Sequence, residues 1–163
     1  MINDKFDGKV LNWRKDPCGR IISLLVDLFD LRINLISIYT QVNPTERKSF
    51  FDNLHEYFIP SHSIIVGGDF NCYDSDLDKF GGNVSLATYL SEFKSSFKFV
   101  DIWRRLHRRS RQLTWFNADH TIGSRLDKFF LSLTLLKLPI NVKSFHVVDQ
   151  ITILSIFASF LRT

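Results

Sequence analysis

The sequence predicts a single domain with a mixed α/β fold, a sandwich in which helices cover the faces of largely antiparallel sheets. Its length of 163 residues suits one domain. Short β-branched apolar runs alternate with two segments whose apolar residues recur at helical spacing. No internal repeat, low-complexity stretch or linker divides the sequence, so residues 1–163 are expected to form one domain.

The first half of the chain contains three predicted strands and a helix. Apolar runs at 21–26 and 33–39 indicate an antiparallel strand pair with a tight connection. Thr45 is the expected cap of the helix that follows, and Pro60 ends that helix. The continuous apolar run at 63–66 is typical of a strand that is buried on both faces.

The second half adds a helix and several shorter strands. The helix is predicted at 85–97, and strands are predicted at 99–103, 113–117, 126–131 and 139–148. Residues 119–123 are the expected turn between two of these strands. Because little sequence precedes the first strand pair, we expect the domain to be partial, with a sheet that is incomplete at the N-terminus.

The positive charge of the chain is concentrated in one place. The net charge of +4 is modest, but five arginines lie close together. They are Arg104, Arg105, Arg108, Arg109 and Arg111, with His107 among them. A cluster of this density can bind phosphate groups. A solvated helix end or loop has the same composition, so charge alone leaves both interpretations open.

Cysteine content and hydropathy favour an intracellular protein, either nuclear or cytoplasmic. Cys18 and Cys72 are the two cysteines, and their spacing fits neither a metal finger nor a disulfide framework. Residues 1–9 are polar and lack the apolar core of a signal peptide. The apolar run at 151–161 is shorter than the ~20 residues that span a bilayer, so a strand or a buried segment is expected there and no membrane partner.

Asp69 and Asn71 carry the strongest local signal for chemistry, because they follow the strand at 63–66 directly after Gly67 and Gly68. A carboxylate and an amide two positions apart on an extended backbone point the same way. Together they can hold a hydrated divalent ion, or orient a phosphate and its attacking water. The glycines would let the backbone approach that ligand closely. An ordinary Gly/Asp/Asn turn is the alternative.

Asp127 and Tyr39 are further candidates. Asp is depleted in strands, so an inward-facing Asp127 would need a partner or a metal. The alternative is an edge-strand carboxylate paired with Arg125 or Lys128. Tyr39 ends an apolar strand, where its hydroxyl can donate a hydrogen bond to a phosphate oxygen. A simple amphipathic strand end would explain Tyr39 equally well.

Five short motifs occur in one order along residues 19–149. They are ISIY at 36–39, IIVGGDFN at 64–71, VDIWR at 100–104, LTW at 113–115 and SRLDKFFLS at 124–132. Each motif alone is weak to moderate, but the ordered set resembles the endonuclease/exonuclease/phosphatase family. Within that family it is most similar to the endonuclease domains of LINE-type retrotransposons.

The resemblance implies a two-sheet α/β sandwich and magnesium-dependent hydrolysis of phosphodiesters in DNA, with water attacking phosphorus in line. It implies that Asp69 activates the water and that Asn71 helps to bind the phosphate. The remaining matches imply phosphate contact by Tyr39, substrate binding by Thr114 and Arg125, and a place near metal and substrate for Asp127. The motif with Asp101, Trp103 and Arg104 is interpreted as mostly structural.

Three departures from the family pattern reduce the expected activity. The strand ending in Asn and the strand ending in Gln-Glu, whose Glu binds the metal, have no counterpart, and neither Asn12 nor Glu46 stands in the right context. The terminal Ser-Asp-His motif reads Val148-Asp149-Gln150, which keeps Asp149 as a catalytic candidate. Gln cannot supply a transferable proton near neutral pH. The His-Pro expected after the Trp-Arg motif reads His107-Arg108.

Two other histidines are alternatives to the family histidine. His146 lies close to Asp149 and would serve in a shifted register. His120 lies in the expected turn, where it is either a substrate contact or a solvated side chain. Neither position restores the pattern of the motif.

We therefore expect a retrotransposon-derived nuclease-like domain that is inactive or weakly active, with Mg²⁺ as the implied cofactor and DNA as the implied partner. One alternative is an active endonuclease or phosphodiesterase that is completed by upstream sequence or by a partner chain. Another is a nucleic-acid-binding module without chemistry that uses the arginine cluster. A generic α/β protein with chance motif matches is the remaining interpretation.

Overall fold

The computed structural model describes residues 9–28 and 31–136 of the chain. The strand predicted at 139–148, the apolar run at 151–161 and the motif around Asp149 lie outside these residues. None of the helices in the described part of the chain combines the length and the apolar character that crossing a bilayer requires.

Nine strands and four helices make up the described part of the chain. In chain order the strands are β1 (Lys9–Lys15), β2 (Ile21–Leu28), β3 (Leu31–Tyr39), β4 (Ser63–Asp69), β5 (Lys79–Phe80), β6 (Phe99–Asp101), β7 (Trp115–Phe116), β8 (Gly123–Ser124) and β9 (Asp127–Ser132). The helices are α1 (Pro44–Asn53), α2 (Thr88–Ser96), α3 (Ile102–Leu106) and α4 (Leu133–Leu136), with short 3₁₀ turns at Leu54–Tyr57 and Asp76–Asp78.

The strands form two sheets, as the predicted α/β architecture requires. The larger sheet has six strands in the order β1-β2-β3-β4-β9-β6, and the smaller sheet has the order β5-β8-β7. β3 and β4 are parallel, and every other described pairing is antiparallel. The predicted antiparallel pair is confirmed as β2 and β3. One further strand, β1, precedes this pair and was not predicted; it pairs with β2 through a bulged register.

The helix boundaries differ from the predicted ones for local reasons. Asn43, not Thr45, caps α1, because its side-chain oxygen accepts from the backbone N–H groups of Thr45 at 2.9 Å and Glu46 at 3.3 Å. Pro44 then occupies the first turn, where its missing N–H leaves no intrahelical bond unmade. The extended segment predicted at 99–103 ends early, because Asp101 caps α3 by accepting from Arg104 N.

The larger sheet separates two hydrophobic clusters. One face packs against α1 and α2 through a phenylalanine-rich cluster that includes Phe51, Phe70, Phe93 and Phe130. The other face carries aliphatic side chains together with Phe129. Because both faces of the central strands are covered, the continuous apolar run predicted for β4 is confirmed as a buried strand.

Gly67 and Gly68 adapt β4 to its neighbours. A Cβ atom on Gly67 would overlap the Phe129 ring, and one on Gly68 would overlap the Ile38 carbonyl oxygen. Gly68 also has a φ of +138°, a conformation that side-chain-bearing residues avoid. The space that a side chain would take at either glycine is therefore filled by protein. Gly67 leaves room for the Phe129 ring, and Gly68 allows the backbone conformation that packs against Ile38.

We expect Gly68→Ala to destabilise the fold more than Gly19→Ala does. Both positions have positive φ, but a Cβ on Gly19 would meet nothing within 4 Å. The control should therefore lose only the cost of the left-handed backbone, about 1–2 kcal/mol. Gly68→Ala adds a backbone clash to that cost. Urea unfolding of both variants measures the difference, and equal midpoints would contradict this account of β4.

Candidate active site

Tyr39, Asp69 and Asp127 form one row across three adjacent strands. Tyr39 pairs with Asp69 in the parallel β3–β4 register, and Asp69 pairs with Asp127 in the antiparallel β4–β9 register. Directly paired residues project to the same face of a sheet. Alternation along the strands places the row on the face that carries Ile65 and Phe129. We call these three residues the site row.

The members of the site row differ in exposure. Tyr39 is 51% exposed, Asp127 is exposed and Asp69 is half-buried. Among the described residues, no hydrogen bond or ion pair reaches the Tyr39 hydroxyl or the Asp127 carboxylate. The row therefore presents a hydroxyl donor and two carboxylates, one of them partly desolvated, to the same region of the surface.

Asp69 has a perturbed acidity. Burial raises the pKa of Asp69 above the ordinary carboxyl value, and the nearby charge of Asp127 raises it further. The Asn71 backbone N–H, which donates to Asp69 Oδ1 at 2.8 Å, and the charge of Arg47 both oppose this rise. A carboxylate with a raised pKa accepts a proton more readily, which is the property that a general base needs.

Asn71 stands in a tight turn directly after the row. Its φ of +47° is left-handed, and its bond to Asp69 Oδ1 closes an Asx turn. Its side-chain nitrogen donates to the Thr40 carbonyl at 2.8 Å. The alternative of an ordinary Asp/Asn turn thus describes the backbone correctly, and the same turn fixes the Asn71 amide beside the site row.

Arg47 on α1 supports this turn through hydrogen bonds, and its sequence context does not predict that role. Its guanidinium is buried and donates to the carbonyls of Gln41 and Val42, both at 3.2 Å, and to the carbonyl of Asn71. Its Nε donates to the Tyr89 hydroxyl at 2.7 Å. One side chain therefore joins the loops that follow β3 and β4. A charged residue in the first turn of a helix carries no sequence signal for this role.

Thr114 fixes the other side of the site row. Its hydroxyl oxygen accepts from the backbone N–H groups of Leu126 at 3.0 Å and Asp127 at 3.1 Å. The side chain is exposed. The Thr114 oxygen is thus occupied by two hydrogen bonds from the start of β9, while its hydroxyl proton stays available as a donor.

Arg125 lies apart from the site row. It is 2% exposed and binds Asp78 through Nε at 3.0 Å and Nη2 at 2.9 Å, and it also pairs with Asp101. Its guanidinium also lies over the Trp103 ring. This placement argues against substrate binding by Arg125. It also removes the alternative partners of Asp127, because Lys128 binds Asp78 at 2.8 Å instead.

Asp78 is the centre of this buried network. It accepts from Arg125, Lys128 and Arg104, and it is 1% exposed. Burial alone would raise the pKa of Asp78, but the hydrogen bonds and charges of Arg125 and Lys128 outweigh burial and hold the pKa far below the ordinary value. The network anchors residues 124–128, and so it positions Asp127.

Arg20 is a second residue at the site that the sequence analysis did not identify. Its guanidinium lies 5.5 Å from the centroid of the Tyr39 ring, and its Nη1 donates to the Tyr39 carbonyl at 3.5 Å. This places a positive charge beside the tyrosine at the end of the site row. A single arginine before an apolar run gave no signal of this position.

The other predicted residues lie outside the described residues or away from the site row. Asp149, Gln150 and His146 lie outside the described residues. His120 lies in an exposed turn with a φ of +56° and packs against Phe116. Asp101 caps α3 and binds Arg125, which agrees with its structural interpretation.

The residues of the site row fit a magnesium ion held by few protein ligands. Magnesium takes oxygen ligands, keeps several waters, and is held by one or two carboxylates together with substrate phosphate oxygens. Asp69 and Asp127 are two such carboxylates on neighbouring strands, and the Asn71 amide lies beside them. No group of three or more His, Cys, Asp or Glu side chains able to hold a metal occurs within residues 9–28 and 31–136. The described residues therefore do not form a site with three or more metal-binding side chains.

Solved structures identify the fold. An AP endonuclease from Leishmania major matches with a TM-score of 0.59 and 22% identity over 72% of this chain and 47% of its own. The 3′ phosphatase NExo from Neisseria, bound to a product DNA hairpin, matches at 0.60 and 18% over 78% and 58%. The endonuclease domain of TRAS1, a telomere-specific non-LTR retrotransposon, matches at 0.55 and 17% over 78% and 58%.

These matches show that the chain has the α/β sandwich fold of endonuclease/exonuclease/phosphatase proteins, which confirms the predicted fold class. The chain spans about half the length of the solved structures that it matches. The sequence matches no protein-family model.

We expect Asp78→Asn to lower the free energy of unfolding by about 3–5 kcal/mol, because it leaves buried cations without their partner. The matched control is Asp52→Asn, which removes the exposed pair with Lys48. That change should cost no more than about 0.5 kcal/mol. Chemical denaturation of the two variants measures both values. A loss at Asp78 as small as the loss at Asp52 would show that the network does not support the fold.

The same network predicts a pH dependence. Because the pKa of Asp78 is lowered on folding, its contribution to stability is present above the unfolded carboxyl pKa of about 3.9 and is lost as the pH falls below that value. The unfolding free energy of the natural chain should therefore decline more steeply below about pH 4 than that of Asp78→Asn. Parallel slopes would contradict the assignment.

Proposed function

We propose that this chain is a retrotransposon-derived nuclease-like domain that binds a DNA phosphodiester at the site row and hydrolyses it weakly or not at all. The observation that carries the proposal is the register of β3, β4 and β9, which aligns Tyr39, Asp69 and Asp127 on one face. The ordered motifs and the fold match to a retrotransposon endonuclease domain support the same origin.

Each residue of the site has a role that its geometry suits. Tyr39 is an exposed hydroxyl donor for a phosphate oxygen, and Arg20 adds a positive charge beside it. Asp69, with its raised pKa, accepts the proton of the attacking water. The Asn71 amide, fixed to Thr40, orients the phosphate. Thr114 contributes a hydroxyl proton on the Asp127 side.

Magnesium, when held by Asp127 together with phosphate oxygens, would supply neutralisation of the charge that develops on the phosphate, while Asp69 accepts the proton. The protein groups bind and orient the phosphodiester and hold the proton that leaves the water. Among the described residues, two carboxylates serve the site row and no third metal-binding side chain joins them. Gln150 stands where the family motif has a proton-transferring histidine. A group of that kind contributes ~10²–10⁴-fold, so slow cleavage follows.

An active endonuclease or phosphodiesterase is the second candidate. The Asp127 carboxylate favours it, because among the described residues it has no ion-pair partner and is available as a magnesium ligand beside Asp69. This candidate requires the third metal ligand and the catalytic histidine to come from outside the described residues.

A nicking assay on supercoiled DNA in magnesium separates the two candidates. We expect the purified chain to nick at least ~10²-fold more slowly than an endonuclease of the same fold, because Gln150 stands where the family motif has a proton-transferring histidine. Any residual nicking should disappear in Asp69→Ala and in chelator. Rapid cleavage that Asp69→Ala abolishes would overturn the weak-activity proposal and establish the active enzyme.

Binding tests the phosphate contact independently of cleavage. We expect Tyr39→Phe to weaken binding of an oligonucleotide in chelator by roughly 10- to 150-fold, since a hydrogen bond to a charged group contributes about 1.5–3 kcal/mol. Tyr57→Phe is the matched control, because Tyr57 packs against Arg14 after α1 and lies outside the site row. Fluorescence anisotropy measures both affinities. Unchanged affinity in Tyr39→Phe would show that the phosphate does not bind at the row.

A further inference from the structure

The last residues of α3 and the loop that follows it present a dense positive surface that the site row does not use. Arg105, Arg108, Arg109 and Arg111 are all exposed. We call residues 105–111 the arginine loop. The salt bridges formed among residues 9–28 and 31–136 include none from these four arginines. Four unneutralised positive charges therefore lie within seven residues.

Arg104 ties the arginine loop to the buried core. Its Nη1 donates to the carbonyls of His107 at 3.3 Å and Ser110 at 2.8 Å, while its Nη2 pairs with buried Asp78. Its guanidinium also lies 4.9 Å from the centroid of the Trp103 ring. The loop backbone is thus folded around a fixed cation. A loop held in this way loses less conformational entropy on binding than a free loop does.

The arginine loop leads directly into the site. Arg111 lies three positions before Thr114, so their Cα atoms lie at most about 11 Å apart. Thr114 in turn accepts the backbone N–H of Asp127 in the site row. In duplex DNA each strand rises 3.4 Å per nucleotide, so this span corresponds to roughly three nucleotides. Phosphates next to the one at the site row are therefore within reach of the loop.

We propose that the arginine loop binds the backbone phosphates that flank the phosphodiester held at the site row. This proposal rests on the proposed function, and it specifies the substrate as a polynucleotide, not a small phosphate ester. Its four arginines supply charge and bidentate donors for phosphate oxygens. The contacts carry no base specificity, because they read the backbone alone.

The experiment compares two double variants of the full chain that each remove two positive charges. Arg108→Gln with Arg109→Gln changes the arginine loop. Lys9→Gln with Arg32→Gln is the control, because both residues are exposed at the end of the sheet opposite Tyr39, where each pairs with Asp27 in the strand register. The probes are a labelled 20-nucleotide single strand and its duplex, titrated in chelator at several salt concentrations. Circular dichroism checks that each variant is folded.

We expect the loop variant to bind roughly 25- to 60-fold more weakly at 0.1 M salt, with a slope of log K against log salt that is smaller by about 1.4–1.8, the loss of two phosphate contacts. The control variant should keep both the affinity and the slope of the natural chain. Equal behaviour of the two variants would overturn the proposal and leave a solvated loop.

The outcome at Tyr39 separates this proposal from the proposed function. Weaker binding in the loop variant together with unchanged binding in Tyr39→Phe would mean that the loop binds nucleic acid while the site row does not. Weaker binding in Tyr39→Phe alone would mean that the row binds phosphate and the loop does not. Loss in both variants supports one strand lying across loop and row.

Discussion

Close packing of β4 between β3 and β9 is the constraint on which the site depends. The strand registers place Tyr39, Asp69 and Asp127 side by side only because β4 can approach both neighbours. Gly67 makes room for the Phe129 ring, and Gly68 makes room for the Ile38 carbonyl. The two glycines that precede Asp69 in the sequence thus support the site indirectly. They allow the packing around β4 from which Asp69 projects.

Two buried hydrogen-bond networks, one around Arg47 and one around Asp78, then hold the loops on either side of the site row. Arg47 joins the turns after β3 and β4 by binding their carbonyls, and Asp78 gathers Arg104, Arg125 and Lys128 beneath β9. Each buried charge is satisfied by several hydrogen bonds, which burial of a charge requires. Since Arg104 also binds the arginine loop, the same network that positions Asp127 orders a surface for flanking phosphates.

The periodicity of the sequence predicted the fold class, and the family resemblance of the ordered motifs predicted the site row. The β2–β3 pair, the buried β4 and the convergence of Tyr39, Asp69 and Asp127 needed no knowledge of side-chain packing. Arg47, Asp78 and Arg20 could not be predicted, because their partners are backbone carbonyls, rings or charges that lie far away in sequence. The buried position of Arg125 could not be predicted for the same reason, because a motif residue near Asp127 carries no sequence signal of which way its side chain points.

The presence of the motifs is weak support for catalysis, because most of their residues make structural hydrogen bonds. Asp69 accepts the Asn71 N–H, Asn71 binds the Thr40 carbonyl, and Thr114 accepts two backbone N–H groups of β9. The Tyr39 hydroxyl and the Asp127 carboxylate differ, since neither has a hydrogen-bond or ion-pair partner among the described residues. Both exposed groups are therefore free to bind a ligand. These two groups, more than the Gly-Asp-Phe-Asn motif, therefore bear on whether the site still binds a phosphodiester.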